Sequence, residues 1–223
     1  MMNMNRYINP ILAYTTIAVI LLFTCIPVYL MVKITFADPA AFINYHEFNF
    51  SWENIQSVFS SGNIWPPLRK SLVVALATAF FSVVIAAPGA YVLAKIPGNT
   101  GYALIMLIFF TRMFPEVGIA LPISLNLIRL GLFDTDLGLI LAHLIRVLPL
   151  VTWVLVGTFK SLPRDLEEAG RIDGCSRIQV LYRVVFPIAK PGIIVGLIFG
   201  FLNSWDEFIY AAYLSLAHKT TKD

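Results

Sequence analysis

The chain has 223 residues, of which 58% are hydrophobic and only 13% are charged, about half the charged fraction of an average soluble domain. A soluble fold of this length needs a more polar surface than this composition supplies, which excludes an ordinary soluble enzyme or binding domain. The net charge of +3 is too small to indicate nucleic-acid binding. The composition instead predicts a protein of the lipid bilayer.

Five apolar stretches are long enough to cross about 30 Å of hydrocarbon as helices, namely 11–32, 71–94, 102–125, 137–159 and 192–217. The first follows Arg6, as in a signal peptide, but it is longer than a cleaved apolar segment and lacks a small-x-small cleavage site. We therefore expect a retained first helix. The predicted fold is all-α: a polytopic bundle of five spans in the cell membrane, with an N-terminal segment, 1–10, and a polar tail, 218–223.

Positive charge is concentrated in the link between the fourth and fifth predicted spans, residues 160–190. The basic residues of this link are Lys160, Arg164, Arg171, Arg177, Arg183 and Lys190. Because cytoplasmic loops are enriched in lysine and arginine, the link is predicted to be cytoplasmic. Counting spans backwards places the Pro97-Gly98 turn and the N-terminus on the same side, although Arg69 and Lys70, on the opposite side, count against this orientation.

The basic link carries the signals of two short helices joined by a tight turn. Pro163 and the carboxylates that follow it suit the first turn of a helix, and Gly174 suits the left-handed position just after one. Ser176 and Gln179 match a capping box that opens a second helix, which is expected to stop at Pro187. Spacing alone leaves two interpretations: a hairpin that docks on another protein, or an amphipathic hairpin that lies on anionic headgroups.

The same link resembles the EAA signature of importer permeases, which reads Glu-Ala-Ala, three residues, Gly, nine residues and Ile-x-Leu-Pro. Its counterpart here is Glu168-Ala169-Gly170, Gly174 and Val184-Val185-Phe186-Pro187, with Gly170 in place of the second alanine. Further stretches resemble the carbohydrate-uptake, maltose-type branch of that family: Met113-Phe114-Pro115-Glu116, Gly131-Leu132-Phe133-Asp134-Thr135 and Ser204-Trp205-Asp206-Glu207-Phe208.

The resemblance implies the permease subunit of an ATP-driven, binding-protein-dependent importer for a sugar or oligosaccharide. It implies three partners: a second permease subunit, a dimer of ABC ATPase subunits and an extracytoplasmic solute-binding protein. ATP would be hydrolysed in the ATPase, and this chain would bind no cofactor or metal and catalyse no reaction; it contains no G-x-x-x-x-G-K-[ST] phosphate loop. By position, the residues that would contact the ATPase subunit are Glu168, Ala169, Gly170, Asp173 and Gly174.

Ionisable side chains inside the predicted spans are candidates for the translocation path, because charge in a membrane is costly. Arg112 and Glu116 lie four residues apart, and an internal ion pair that fixes helix packing is the favoured interpretation. Trp205, Asp206 and Glu207 combine an aromatic ring with acceptors, which suits a sugar. Their alternative interpretation is a tryptophan at the membrane interface with its carboxylates in water.

Other functions remain open on the sequence. A permease of the same class could carry a phosphate ester or a polyamine, and a stand-alone channel would need no ATPase. A membrane-embedded enzyme would need a nucleophile or metal site, and the sequence suggests no such constellation; His143 is interpreted as a packing residue and Arg146 as snorkelling or pairing with a partner subunit. The resembling permeases usually have six spans, so a truncated copy without transport activity is a further alternative.

Overall fold

The computed structural model describes residues 10–38, 49–62 and 64–215, and its secondary structure is helical apart from one isolated β-bridge between Ala37 and Phe50. The chain divides into two compact units, Met1–Pro67 and Leu68–Asp223. Within the described residues, four helices are long and apolar enough to cross a membrane, and a bent pair of helices brings the number to five. The predicted all-α, polytopic transmembrane fold is thereby confirmed.

The first unit contains α1 (Pro10–Thr35) and α2 (Glu53–Ser60). α1 is 26 residues long, and its threonine hydroxyls bond to carbonyls one turn earlier, so they leave no unpaired donor in an apolar helix. The rings of Phe36, Phe50 and Trp52 pack with centroids 5.1–5.5 Å apart. These contacts close the end of α1 onto the segment that leads into α2.

The remaining helices are α3 (Trp65–Lys95), α4 (Asn99–Phe110), α5 (Glu116–Arg129), α6 (Asp136–Lys160), α7 (Arg164–Ile172), α8 (Arg177–Trp205) and α9 (Ile209–Ser215). The core of the second unit lies where α3, α6 and α8 pack together, and its most buried members include Ala90, Val151, Leu155, Phe159 and Ala189.

The third predicted span, 102–125, is not one straight helix. α4 ends at Phe110, a 3-10 turn covers Thr111–Met113, and α5 begins at Glu116 with its axis bent by 87°. Pro115 explains the break, because proline has no N–H and forces the preceding residue out of the helical region. Phe114 is accordingly extended, with φ −69° and ψ 132°.

The fifth predicted span, 192–217, also has different bounds. α8 runs without interruption from Arg177 to Trp205, so Pro187 does not end a helix as expected. A π-helical turn, Leu181–Val185, precedes the proline, and this wider turn relieves the clash that proline normally makes with the carbonyl four residues earlier. Residues 216–217, the 218–223 tail and residues 1–9 of the predicted N-terminal segment lie outside the described residues.

A stripe of glycines brings α8 close to its neighbours. Gly192, Gly196 and Gly200 recur at four-residue spacing, a pattern that lets membrane helices approach at backbone distance. A Cβ atom at Gly192 would lie 2.2 Å from the side chain of Thr158 on α6, and one at Gly200 would lie 3.1 Å from the Cα of Ala79 on α3. α6 and α3 therefore pack directly against the backbone of α8 at these glycines.

The loop before α6 also depends on small residues. Gly131 has φ 68°, and Thr135 caps α6 by accepting a hydrogen bond from the Gly138 amide at 3.0 Å. A Cβ at Gly138 would lie 2.1 Å from the carbonyl oxygen of Leu132. These contacts are a physical reason for Gly131, in the stretch that resembles importer permeases, and for Gly138 just after it.

Candidate functional site

The hairpin predicted from the basic link is present and is made of α7, the turn Asp173–Cys175 and the first turns of α8. We call it the coupling hairpin, after the role that is proposed for it below. Gly174 has φ 84°, and the Cys175 amide donates to the Gly170 carbonyl at 3.0 Å. These features form a Schellman motif, which satisfies carbonyls left over at the end of α7. Ser176 and Gln179 form the predicted capping box, with bonds of 2.8 and 3.3 Å.

The residues predicted to contact an ATPase subunit fall into two groups. Glu168, Ala169, Asp173 and Gly174 are exposed, whereas Gly170 is buried. A Cβ at Gly170 would lie 3.2 Å from Val184 of α8. Gly170 therefore lets the two helices of the hairpin close on each other, and its position departs from the prediction that it presents a surface to a partner.

Glu167 fastens the coupling hairpin to α3. Its Oε2 accepts a hydrogen bond from the Tyr91 hydroxyl at 2.8 Å, its Oε1 forms an ion pair with Lys95, and the residue is only 7% exposed. The sequence suggested only that this carboxylate favours the start of α7. The anchor was missed because its partners lie 76 and 72 residues away in the chain.

A cavity of about 630 Å³ lies beside this anchor, between the end of α3 and the coupling hairpin. Its lining includes Pro97, Glu168, Arg171 and Arg177. The Pro97-Gly98 turn and the basic link therefore lie at one end of the bundle, as the count of spans predicts.

The predicted ion pair between Arg112 and Glu116 is not the pairing in the structure. Glu116 Oε1 lies 2.9 Å from Arg146 Nε, and Arg112 Nη2 donates to Asn203 Oδ1 at 3.3 Å. Residues four positions apart meet only on one continuous helix, and the break at Pro115 removes that geometry. Arg146, which the sequence predicts to snorkel or to pair with a partner subunit, thus has a partner within its own chain.

Glu207 is buried and bonded on both carboxylate oxygens. It accepts from the backbone amides of Tyr210 and Ala211 at 2.9 and 3.2 Å, which caps the start of α9. His143 Nε2 lies 3.2 Å from the same carboxylate. By contrast, Trp205 is 43% exposed and Asp206 is exposed. Of the three residues predicted to meet a solute here, Glu207 is used for packing.

Ser204, His143 and Glu207 form a constellation that the sequence did not suggest. His143 Nδ1 lies 2.7 Å from Ser204 Oγ, and the three residues are 4%, 3% and 7% exposed, respectively. These residue types resemble a hydrolase triad, but a nucleophile must reach its substrate and Ser204 is enclosed. The cluster instead links α6, α8 and the start of α9, in keeping with the packing role expected for His143.

The second unit matches the family model described as binding-protein-dependent transport system inner membrane component, over residues 86–218. The sulfoquinovosyl glycerol transport system permease SmoH of Agrobacterium fabrum is 36% identical over 71% of this chain and 55% of its own length. The trehalose transport system permease SugB of Mycobacterium tuberculosis is 31% identical over 74% and 60%, respectively. The trehalose/maltose permease MalG of Thermococcus litoralis is 27% identical over 91% and 74%. The chain thus spans between 55% and 74% of the length of these relatives.

A crystal structure of a bacterial ABC transporter involved in the import of the acidic polysaccharide alginate shares the fold. Its TM-score is 0.73 at 21% identity, and the match covers 92% of this chain and 73% of the other. The likeness shows a shared fold, and the family match over more than half of the chain identifies it as a member of the binding-protein-dependent transport inner-membrane components, the permease subunits of ABC importers.

Proposed function

We propose that this chain is a permease subunit that couples ATP hydrolysis in a partner to the import of a sugar or oligosaccharide. The sugar class is supported by the names of three relatives, which are permeases of transport systems for sulfoquinovosyl glycerol, trehalose, and trehalose or maltose. A second permease subunit, an ABC ATPase dimer and an extracytoplasmic solute-binding protein would complete the transporter. ATP would bind in the ATPase and not in this chain.

The coupling hairpin is the observation that carries the proposal. It presents large apolar side chains among charged ones: Ile172 is 85% exposed, Ile178 is 69% exposed and Leu166 is 39% exposed. The hairpin backbone is held by the Schellman motif and the capping box. A rigid hairpin with outward apolar side chains suits a groove on another protein, because it loses little conformational entropy on docking.

Two connections would carry motion from the coupling hairpin into the bundle. α8 continues from the hairpin into the core, and Glu167 ties α7 to the end of α3. A displacement of the hairpin would therefore move both helices. Such a displacement, driven by closure of the ATPase dimer, would shift the bundle between inward-open and outward-open states.

Three of the predicted residues remain candidates for lining the translocation path. Arg112 lies at the break between α4 and α5, and Trp205 and Asp206 lie at the break between α8 and α9. Trp205 stacks on Phe201 with centroids 5.6 Å apart and retains an open face. Glu116, through its ion pair with Arg146, and Glu207, through its contact with His143, would hold the helix ends near these residues in place.

The test is purification in a mild detergent followed by identification of the chains that accompany this one. We expect an ABC ATPase and a second permease with the wild type, and loss of the ATPase with Ile172→Asp. Ile172→Leu keeps the apolar contact and is the matched control. Absence of an ATPase from the wild-type preparation would contradict the proposed function, and an unchanged amount with Ile172→Asp would contradict docking through the hairpin.

The solute is tested separately by uptake into proteoliposomes that hold the reconstituted transporter with its binding protein. We expect labelled trehalose or a related saccharide to be taken up, and Trp205→Ala to raise the KM several-fold through loss of stacking, which is worth about 1 kcal/mol. Trp52→Ala, which removes an exposed tryptophan of the other unit, is the control. Uptake restricted to phosphate esters or polyamines would overturn the sugar assignment.

A further inference from the structure

A groove of about 420 Å³ runs between α4 and α6, apart from the coupling surface of the hairpin. α4 contributes Tyr102 and Met106 to it, and α6 contributes Trp153, Gly157 and Lys160. In each helix these residues are three or four positions apart, so each set lies on one helical face. The groove is thus a seam between two facing rows of side chains, and the seven helical rises of 1.5 Å from Trp153 to Lys160 make it about 10 Å long.

The inside of the groove is apolar and open to its surroundings. Its floor is formed by Ile105 and Val156, which are 5% and 2% exposed, and Tyr102 and Trp153 stand as exposed walls. Gly157 leaves a notch, since a Cβ atom there would meet nothing within 4 Å. The groove lies between helices of membrane-spanning character, so its mouth would face the hydrocarbon of a bilayer.

One end of the groove is cationic. Lys160 is the last residue of α6, and its Nζ lies 4.1 Å from the centroid of the Tyr102 ring. Beyond these two side chains a second cavity, of about 380 Å³, is bordered by Asn99, Lys160 and the Pro97-Gly98 turn. The helix ends place this cavity at the level where a bilayer changes from hydrocarbon to headgroups, the level at which lysine and tyrosine anchor membrane proteins.

We propose that this groove binds one anionic phospholipid of the leaflet that faces the basic link. The first part of an acyl chain would lie in the apolar seam, and the phosphate would lie beside Lys160 and Asn99. An apolar slot at hydrocarbon depth that ends in a cation matches a phospholipid, and basic pockets between transmembrane helices are known to hold lipid headgroups. Free phosphate would use only the cationic end and leave the seam empty. The bound lipid would hold α4, one half of the bent pair, against α6.

Lipid binding in this groove requires only that the chain lies in a bilayer, so it does not depend on the transport reaction. The chain is purified in mild detergent with the subunits that accompany it, and the phospholipids it retains are counted by native mass spectrometry. Membranes enriched in phosphatidylglycerol supply the probe. The wild type should retain one phosphatidylglycerol per chain.

Two variants test the apolar seam and the cationic end of the groove separately. Gly157→Leu fills the notch from a position where an added Cβ atom meets nothing within 4 Å, and it should abolish retention. Lys160→Gln removes the charge and should weaken retention about fivefold, the effect of one basic residue at an anionic membrane surface. Gly89→Leu is the matched control, because Gly89 is an exposed glycine of α3 whose added Cβ would also meet nothing within 4 Å.

Several results would overturn the proposal. Unchanged retention in both Gly157→Leu and Lys160→Gln would exclude the groove, and equal retention of zwitterionic phosphatidylcholine would exclude an anionic headgroup at Lys160. Displacement of the lipid by millimolar inorganic phosphate would indicate a free-anion site instead. If Gly157→Leu releases a second permease subunit and leaves the lipid count unchanged, the groove is a protein interface. Lys160→Gln keeps the test decisive if Gly157→Leu fails to fold.

Discussion

Glu167 and Gly170 lie three positions apart on the buried face of α7. One residue attaches the coupling hairpin to α3, and the other allows its two helices to pack closely. Glu167 reaches α3 through Tyr91 and Lys95, and Gly170 lets α8 approach closely. The exposed residues Glu168 and Ala169 lie between them in sequence and point elsewhere. A helix of nine residues thus separates attachment to its own bundle from the surface offered to a partner.

Glu167→Gln is expected to loosen α7 from α3, because a buried charge-assisted contact contributes ~1–3 kcal/mol. The measurement is hydrogen exchange of the α7 amides in the detergent-solubilised complex, which should become faster. The charge-reversed pair Glu167→Lys with Lys95→Glu should recover part of the protection. Glu168→Gln is the neighbouring control, and faster exchange in that variant to the same degree would contradict an anchor specific to Glu167.

Gly174→Val should separate ATP hydrolysis from uptake. The turn requires φ 84° at this position. A residue with a branched side chain is destabilised there by about 1–2 kcal/mol or more. The turn would therefore change, and with it the angle between the two helices of the hairpin. The ratio of solute imported to ATP hydrolysed in proteoliposomes is expected to fall. Gly174→Asn should stay near the wild-type ratio, since asparagine tolerates this conformation, and equal ratios for valine and asparagine would refute the requirement.

At the scale of elements, α8 is the helix on which the second unit is organised. It begins in the coupling hairpin, crosses a π-helical turn, packs its glycine stripe on α6 and α3, and ends beside the Ser204–His143–Glu207 cluster. The glycine contacts bring backbones close enough for dispersion forces, which are the main source of helix association where lipid removes the hydrophobic drive.

Gly192→Ala tests this packing against Gly196→Ala. The first substitution places a methyl group 2.2 Å from Thr158, and the second reaches Leu155 only at an ordinary 3.4 Å. Overpacking is expected to cost ~1–3 kcal/mol at Gly192 and little at Gly196. Thermal unfolding in detergent should show a lower Tm for Gly192→Ala alone, and equal Tm values for the two variants would contradict the close approach of α8 to α6.

At the scale of the whole second unit, the two ends of the bundle differ in charge and in structure. One end carries the coupling hairpin, the Pro97-Gly98 turn and the proposed lipid headgroup site. The other end carries the loop between α5 and α6, and there Lys70 Nζ lies 3.8 Å from Asp136 Oδ1. The orientation of these ends in the membrane follows from the positive-inside rule and is a prediction.

Cysteine labelling in intact cells tests that orientation. In a background with Cys25 and Cys175 replaced by serine, Ser161→Cys, which is exposed in the basic link and lies outside the proposed docking surface, should resist a membrane-impermeant maleimide until the cells are opened. Leu130→Cys, which is 69% exposed in the loop at the other end, should react from outside. The reverse pattern would place the basic link outside and would contradict its contact with a cytoplasmic ATPase.

The sequence by itself determined membrane residence, the approximate positions of the apolar helices and the local structure of the coupling hairpin. These features depend on hydropathy or on contacts between residues at most five positions apart, as in the Schellman turn at Gly174 and the capping box at Ser176. The signature residues 168–187 could be recognised for the same reason.

Only the tertiary structure decided how those elements meet. In the folded chain Glu167 contacts Tyr91 and Lys95. Glu116 pairs with Arg146 and not with Arg112, and Glu207 contacts His143. The third predicted span is bent by 87° at Pro115. Partners 60 or more residues apart, such as His143 and Ser204, depend on the rotation and separation of whole helices, which are set by packing at Gly192 and Gly200 and cannot be read from periodicity along one segment.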